Sequence, residues 1–397
     1  MTDSPTIDTP AMDGPGADIR AYDLFFGANR PGWDARRKAE MNALADKAEA
    51  DRVKAERTEA AARERQSWID RLLGREPKVE AAPQEPAPQE PAQPEPLEPA
   101  GHQGGDDREL ESTGWAFGLP PGIATEQWPI DRNNGFPLKH GFTLELPSDW
   151  ARAVSEAVGY EVAGVSFFGT SDEHADGMPY EVKGMEAALG QESVDADDPF
   201  FPFWSQMRTL HPRARYMRDI LDCDFALIHL SPQELAGKPC HPPRLADEPV
   251  LADAPRPTWL DEGALAAILR AGRPYQLEPL GLVGAGGVEG NGVEGNGLEA
   301  RVTIRRAERD DPNAGRTPTD VGVSGDYVQP FGEDYRPLPW SEEFQLNHMG
   351  GTFRPVQAMP NIGPYSIGVE EYVGDFNYGT GNAQIDIVNA VFDWACG

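Results

Sequence analysis

The chain has 397 residues, with 66 Asp and Glu against 35 Lys and Arg, for a formal net charge of −31. Such a surplus of acid repels phosphate backbones and anionic lipid headgroups, since neutralising either takes clustered Lys and Arg; the composition therefore predicts no nucleic acid and no membrane among the partners. The 38 prolines and 42 glycines dilute the core, so one substantial domain is expected rather than the two or three that length alone would allow.

The first residues (MTDSPTIDTPAMDG) carry neither the basic patch nor the apolar stretch of a secretory leader. Three cysteines, Cys223, Cys240 and Cys396, are too few and unevenly counted for a disulfide framework. A cytoplasmic location is the expectation. Residues 1–33 read as a tail with one apolar segment, in which Ile19, Tyr22, Leu24, Phe25, Phe26 and Trp33 stand among Asp, Gly and Pro. Such a segment either packs back on the main domain or recognises a partner, and packing is the favoured expectation.

Residues 34–75 hold 9 acids and 11 bases, leaving 57 acids against 24 bases in the rest of the chain. Asp34 can cap, Gly74 and Pro77 can stop, and the stretch between is rich in Ala, Glu, Lys and Arg, which predicts a helix ~60 Å long. The apolar positions Met41, Leu44, Ala48 and Ala55 sustain no heptad. A solvated helix with ion pairs four residues apart is expected, with a coiled coil, and an oligomer formed through residues 34–74, as the alternative. Trp68, Ile69, Leu72 and Leu73 give its end an apolar cluster. Residues 76–110 carry a proline every two or three positions (APQEPAPQEPAQPEPLEP), the composition of an extended, disordered spacer.

From residue 111 to 397 the composition turns globular. Short runs rich in Val, Ile and Phe predict strands over 142–146, 162–168, 225–230, 300–304, 365–369 and 383–391, and helices are expected over 148–158 and 261–270. The fold class is α+β, mostly β. Residues 281–297 hold Gly-Val-Glu-Gly-Asn twice in tandem and fail the dinucleotide fingerprint, because Glu289 stands where its third glycine belongs. They read as an expanded surface loop.

Two ordered sets of turns stand out. The first runs from Gly114-Trp115-Ala116-Phe117-Gly118-Leu119-Pro120-Pro121-Gly122 through Gln127-Trp128-Pro129, Gly135-Phe136-Pro137-Leu138 and Leu144-Glu145-Leu146-Pro147 to Val165-Ser166-Phe167-Phe168-Gly169. The second comprises Met349-Gly350-Gly351-Thr352-Phe353-Arg354-Pro355-Val356-Gln357 and Phe376-Asn377-Tyr378-Gly379-Thr380-Gly381-Asn382. In this order they resemble the opening and closing sections of the YwqG-like family of unknown function. The resemblance implies a two-lobed antiparallel β domain over 111–397 and permits a bacterial accessory or immunity-like role, while implying no activity. The residues it singles out are Gly118, Pro120, Trp128, Pro129, Gly350, Gly351, Gln357, Asp375, Asn377, Gly379 and Gly381. The chain departs from the pattern at Phe117, where a glycine is usual, at Thr380, where an Asp is usual, and in the strand at 141–144, which lacks the expected Gln. Residues 172–346 match nothing in the pattern.

Chemistry is harder to find. Gly164 to Gly169 around Ser166 is one residue too long for a nucleophile elbow, and Gly322 to Gly325 around Ser324 one too short. Cys223 with His229, or Cys240 beside His241, are the nearest thiol and base pairs, and with His211 they would make a poorly spaced zinc set. No metal and no cofactor is expected, and no catalytic residue is assigned. The reading that follows is a binding protein that presents an acidic surface to a protein partner. The alternative is an uncharacterised enzyme with a pocket near Gln357, Asp375 and Asn377.

Overall fold

The computed structural model describes residues 19–27, 110–175, 177–273, 276–280, 282–284, 287–288, 293–318, 327–332 and 335–396. The helix expected over 34–75, the spacer over 76–110 except its last residue, Trp33 and residues 281, 285–286 and 289–292 of the glycine-rich segment lie outside the described residues.

Antiparallel strands dominate. They are β1 Ala21–Phe26, β2 Glu111–Phe117, β3 Lys139–Glu145, β4 Gly164–Gly169, β5 Ala214–Arg218, β6 Asp224–Leu230, β7 Val283–Gly284, β8 Gly287–Val288, β9 Val293–Glu294, β10 Arg301–Arg309, β11 His348–Met349, β12 Ser366–Glu370, β13 Asn382–Asp386 and β14 Val391–Ala395. Twelve of them form one sheet in the order β14-β13-β12-β11-β1-β10-β2-β3-β4-β6-β5, with β9 against β10, while β7 and β8 pair separately. The two ends of the sheet come together. Phe392 of β14 stacks on Phe225 of β6 with ring centroids 4.0 Å apart, and the Trp394 indole donates to Asp219 Oδ2, just past β5, at 2.9 Å. The result is a nearly closed barrel. The halves expected as two lobes are thus two runs of strands in a single sheet.

The apolar segment near residue 20 lies inside that sheet. β1 pairs with β10 from Ala21↔Arg309 to Phe26↔Ile304 and with β11 at Tyr22↔Met349, so a segment ahead of the boundary expected at 111 belongs to the same sheet. β10 is held between β1 and β2 by arginines. Arg309 reaches Asp23 of β1 at 2.6 Å and Asp311 at 2.7 Å. Arg306 reaches Glu111 of β2 at 2.8 Å and donates to Thr113 Oγ1 at 2.6 Å. Cross-strand charge pairs of this kind fix register.

Alternation along β3, β4 and β6 sends Phe142, Phe167 and Phe225 to one face, where they meet Phe392 and Phe376; centroid separations are 5.3 Å for Phe142–Phe167 and 5.8 Å for Phe167–Phe225. These rings fill the barrel, each contributing about 1.5–3 kcal/mol by burial. The opposite face carries Thr143, Ser166 and Phe168, covered by Trp128, whose ring meets Phe168 edge-on at 5.4 Å.

The helices are α1 Ser148–Val158, α2 Met185–Leu189, α3 Phe201–Arg208, α4 Pro232–Leu235, α5 Trp259–Glu262, α6 Ala264–Arg270 and α7 Pro339–Glu342. α1 has the expected bounds and ends on Gly159 in the left-handed region. Two expectations need correction. The helix expected over 261–270 breaks at Gly263, whose φ of 86° and ψ of 155° no helix admits. The strand expected over 383–391 is two strands, because the Asp386 carboxylate collects the N–H groups of Val388 and Asn389 at 2.9 Å and turns the chain. No helix among the described residues is long and apolar enough to cross a membrane.

Candidate functional site

One end of the barrel is stopped by the loop between β12 and β13, residues 371–381. Its Phe376 ring enters the aromatic core, 5.7 Å from Phe167 and 5.8 Å from Phe225. Two glycines make the seat. β3 carries a bulge at Gly141, where a Cβ would stand 2.5 Å from the Phe376 ring, and a Cβ on Gly169 of β4 would stand 2.8 Å from it.

Beside that ring lies a buried ionic chain. Lys139, the first residue of β3, is 2% exposed; its Nζ stands 3.0 Å from Asp375 Oδ2, donates to the Asp375 carbonyl and lies 5.2 Å from the centre of the Phe376 ring. Arg273 NH1 is 3.2 Å from Asp375 Oδ1 and 2.6 Å from Asp172 Oδ2. Two cations therefore meet two carboxylates. Burial pushes the Asp375 carboxyl up, and Lys139 and then Arg273 pull it back. Asp375 holds a φ of 56°, a left-handed conformation that costs a non-glycine residue energy, and its Oδ1 is buried with no hydrogen-bond donor within proper geometry.

The residues singled out by the resemblance divide by role. Gly118, Gly350, Gly351 and Gly379 all have positive φ, from 56° to 77°. A Cβ on Gly351 would meet the Asp311 carboxylate at 2.3 Å, and one on Gly381 the Ala395 carbonyl oxygen at 1.6 Å. Pro120 and Pro129 offer their carbonyls to the N–H groups of Cys240 and Leu138, both at 2.9 Å, and the Trp128 indole donates to Leu138 O at 3.0 Å. These positions shape turns. Gln357 lies exposed, donating to Cys396 O at 3.2 Å, whereas Asp375 faces inward to Lys139, so the two have different partners. Asn377 bridges instead to the Ala175 carbonyl at 3.4 Å.

Composition had not flagged Lys139, Arg273 or Asp172. Lys139 left a trace, a charged residue directly after the apolar turn Phe136-Pro137-Leu138. Arg273 and Asp172 lie 102 and 203 residues from Asp375 in sequence, and nothing local marks them.

A second buried cluster lies at the start of β6, next to Phe225. Asp224 takes Arg132 NH2 at 2.5 Å and Arg218 Nε at 3.0 Å. Neighbouring Asp131 has only neutral donors, Thr170 Oγ1 at 2.7 Å and Asn133 N at 2.8 Å. Burial, and then the charge on Asp224, push the Asp131 carboxyl up to about 7.

Of the nucleophile candidates, Ser166, Cys223 and Cys240 are buried, and Ser324 lies outside the described residues. Ser166 donates to Thr143 Oγ1 at 2.7 Å, and Thr143 donates to His140 Nε2 at 2.9 Å. His140 Nδ1 lies 3.0 Å from the Phe117 carbonyl and so carries the proton. Burial lowers His140 to about 4. Burial pushes the Cys223 and Cys240 thiols up, His229 lies between Tyr160 and the Ile387 carbonyl, and His211 pairs with Glu234 at 2.9 Å. With different partners, these side chains do not assemble, and no group of three or more metal-ligating side chains occurs among the described residues.

An open cleft of about 540 Å³ lies beside the start of α1, lined by Arg20, Tyr22, Glu145, Arg306 and Glu308 among others. Its charges are taken up locally, Arg20 by Glu308 at 2.6 Å and Arg306 by Glu111. Comparison with protein-family models, with curated proteins and with solved structures found no match to this chain.

Proposed function

We propose that this protein is a non-enzymatic binding protein that presents an acidic surface to a basic protein partner. The observation that carries the reading is the filled barrel: Phe142, Phe167, Phe225, Phe376 and Phe392 occupy the centre where a substrate would sit. The surface supplies the sign of the partner. Between β4 and α3 the exposed residues Glu181, Glu186, Glu192, Asp195, Asp197 and Asp198 stand with Lys183 as the one base among residues 181–198. Opposite charge across such a face speeds encounter and fixes register more than it tightens binding.

A YwqG-like identity, with the accessory or immunity-like role and cytoplasmic location it carries, is part of this proposal. Its support is a repeated corner. Asp131 takes the N–H of Asn133 at 2.8 Å and the hydroxyl of Thr170 at 2.7 Å. In the second half Asp311 takes the N–H of Asn313 at 2.8 Å and the hydroxyl of Thr352 at 2.7 Å. Two Asp-x-Asn turns, each pinned by a threonine, are what a duplicated two-lobed ancestor would leave.

The test is capture from the native cell with the full chain against its Asp195→Asn/Asp197→Asn/Asp198→Asn variant, at low and high ionic strength. The expected outcome is a basic partner retained by the native chain at low salt and lost on either change. A captured set that neither the substitutions nor salt alters would sink the proposal. Truncation to residue 110 is unsuitable, since it removes β1 from the middle of the sheet.

A further inference from the structure

The loop that stops the barrel has the chemistry of a ligand. We infer that Asp375 and Phe376 occupy a binding site for a small aromatic carboxylate, the Asp375 side chain standing in for the carboxylate and the Phe376 ring for the aryl group.

The carboxylate position is defined by two cations from outside the loop, Lys139 at 3.0 Å and Arg273 at 3.2 Å. In a chain of net charge −31, a buried lysine and a mostly buried arginine converging on one point make a local anion site. The ring position is equally defined. Gly141 and Gly169 leave room that any side chain would close, Phe167 and Phe225 present their rings to it, and Lys139 lies over one face. Carboxylate and ring are held by the same lysine, so one compact molecule can take both places.

The inserted residues form the tip of a loop anchored on either side, by Tyr372 against Phe26 and by Tyr378 against Phe392. Its backbone-to-backbone hydrogen bonds close on itself and on the last residue of β12, from Val373 N to Glu370 O at 3.0 Å, Phe376 N to Glu371 O at 3.1 Å and Gly381 N to Tyr378 O at 3.0 Å, while Lys139 Nζ holds the Asp375 carbonyl from outside. Gly374 and Gly379, both at positive φ, flank the inserted residues and can absorb a swing of the chain. Departure of Asp375 also relieves its left-handed backbone. Asp172 stays on Arg273, so the vacated site carries one net positive charge and selects a monoanion over a dianion.

This inference stands apart from the acidic-surface reading and is tested without it. Phenylacetate is the probe, with acetate (no ring) and phenylacetamide (no charge) as controls, added to the full chain and to its Asp375→Ala/Phe376→Ala variant. In the variant, phenylacetate is expected to raise the thermal midpoint in a saturable way, with half-saturation at least ~10-fold below either control; the native chain shows the same ranking at higher concentration, because its loop must leave first. Equal effects of the three compounds on a folded variant overturn the inference. Should the variant fail to fold, amide exchange on the native chain decides. Phenylacetate should speed exchange across 371–381 and slow it in β3 and β4, and no change in either overturns the inference.

Discussion

Asp375 and Asp131 are buried carboxylates at the same end of the barrel wall, Asp375 held by Lys139 opposite Gly169 and Asp131 by the next residue, Thr170, and they are treated differently. Asp375 shares Lys139 and Arg273. Asp131 receives only an N–H and a hydroxyl, while the two arginines beside it both turn to Asp224. At the first, burial pushes the carboxyl up and cations from distant parts of the chain oppose it; the second is held up to about 7 and sheds its charge under mild acid. Burial pushes both up, and what separates them is the supply of cationic partners.

The largest effect should come from taking the cation away. Lys139→Met leaves Asp375 buried beside Arg273 alone, and an uncompensated buried charge costs about 3–5 kcal/mol. Urea unfolding of the native chain, of Lys139→Met and of Lys139→Met/Asp375→Asn measures it. The double variant is expected to regain more than half of the loss, because Asn tolerates the left-handed backbone and needs no cation. Equal losses in the single and double variants would mean that the lysine acts by packing.

Next in size is a histidine effect. Burial lowers His140 to about 4, against an ordinary value near 6.5. A lowered folded value means that its stabilising contribution is present in full above pH 6.5 and drains away as pH falls toward 4. His140→Gln should flatten the stability curve between those limits by roughly 2 kcal/mol, read from urea midpoints across that range. His229, also lowered to about 4 by burial, continues to titrate in the variant, so a complete loss of acid sensitivity would contradict the assignment.

How much of this was legible in the sequence depends on how local the cause is. Helix α1 could be read to the residue, since Pro147-Ser148 starts it and Gly159 ends it. The strand cores could be read from runs of Val, Ile and Phe. The break at Gly263 could not, because it follows from contact with a segment far along the chain: a Cβ there would meet the Gly297 carbonyl oxygen at 2.1 Å. The place of β1 was equally hidden, its partner β10 lying 278 residues on at Phe26↔Ile304. The candidate site was half legible. Asp375 stood out as an acid in a glycine-rich turn, but its partners come from strands and loops that only the closed barrel brings together.

Asp131→Asn tests the other corner. A carboxyl raised to about 7 contributes its full stability below the ordinary value near 4 and loses it as pH rises through 7. The asparagine removes that loss. Its amide oxygen keeps the Asn133 N–H, and its NH₂ donates to Thr170 Oγ1, whose own proton turns to the Asp224 carbonyl 3.0 Å away. The variant should therefore be more stable than the native chain by about 1–2 kcal/mol at pH 8, the difference vanishing toward pH 4.

The smallest effect belongs to a pair that resembles these on paper. Arg301 reaches Glu294 across β9 and β10 at 2.7 Å, closer than Lys139 approaches Asp375, yet the two side chains are 39% and 60% exposed. Water screens the attraction, and ordering two long side chains offsets what remains. Glu294→Gln should cost less than ~0.5 kcal/mol, and added salt should erase it. A loss approaching that of Lys139→Met would place distance above burial in setting the strength of these pairs, and the contrast between the two corners would then need another cause.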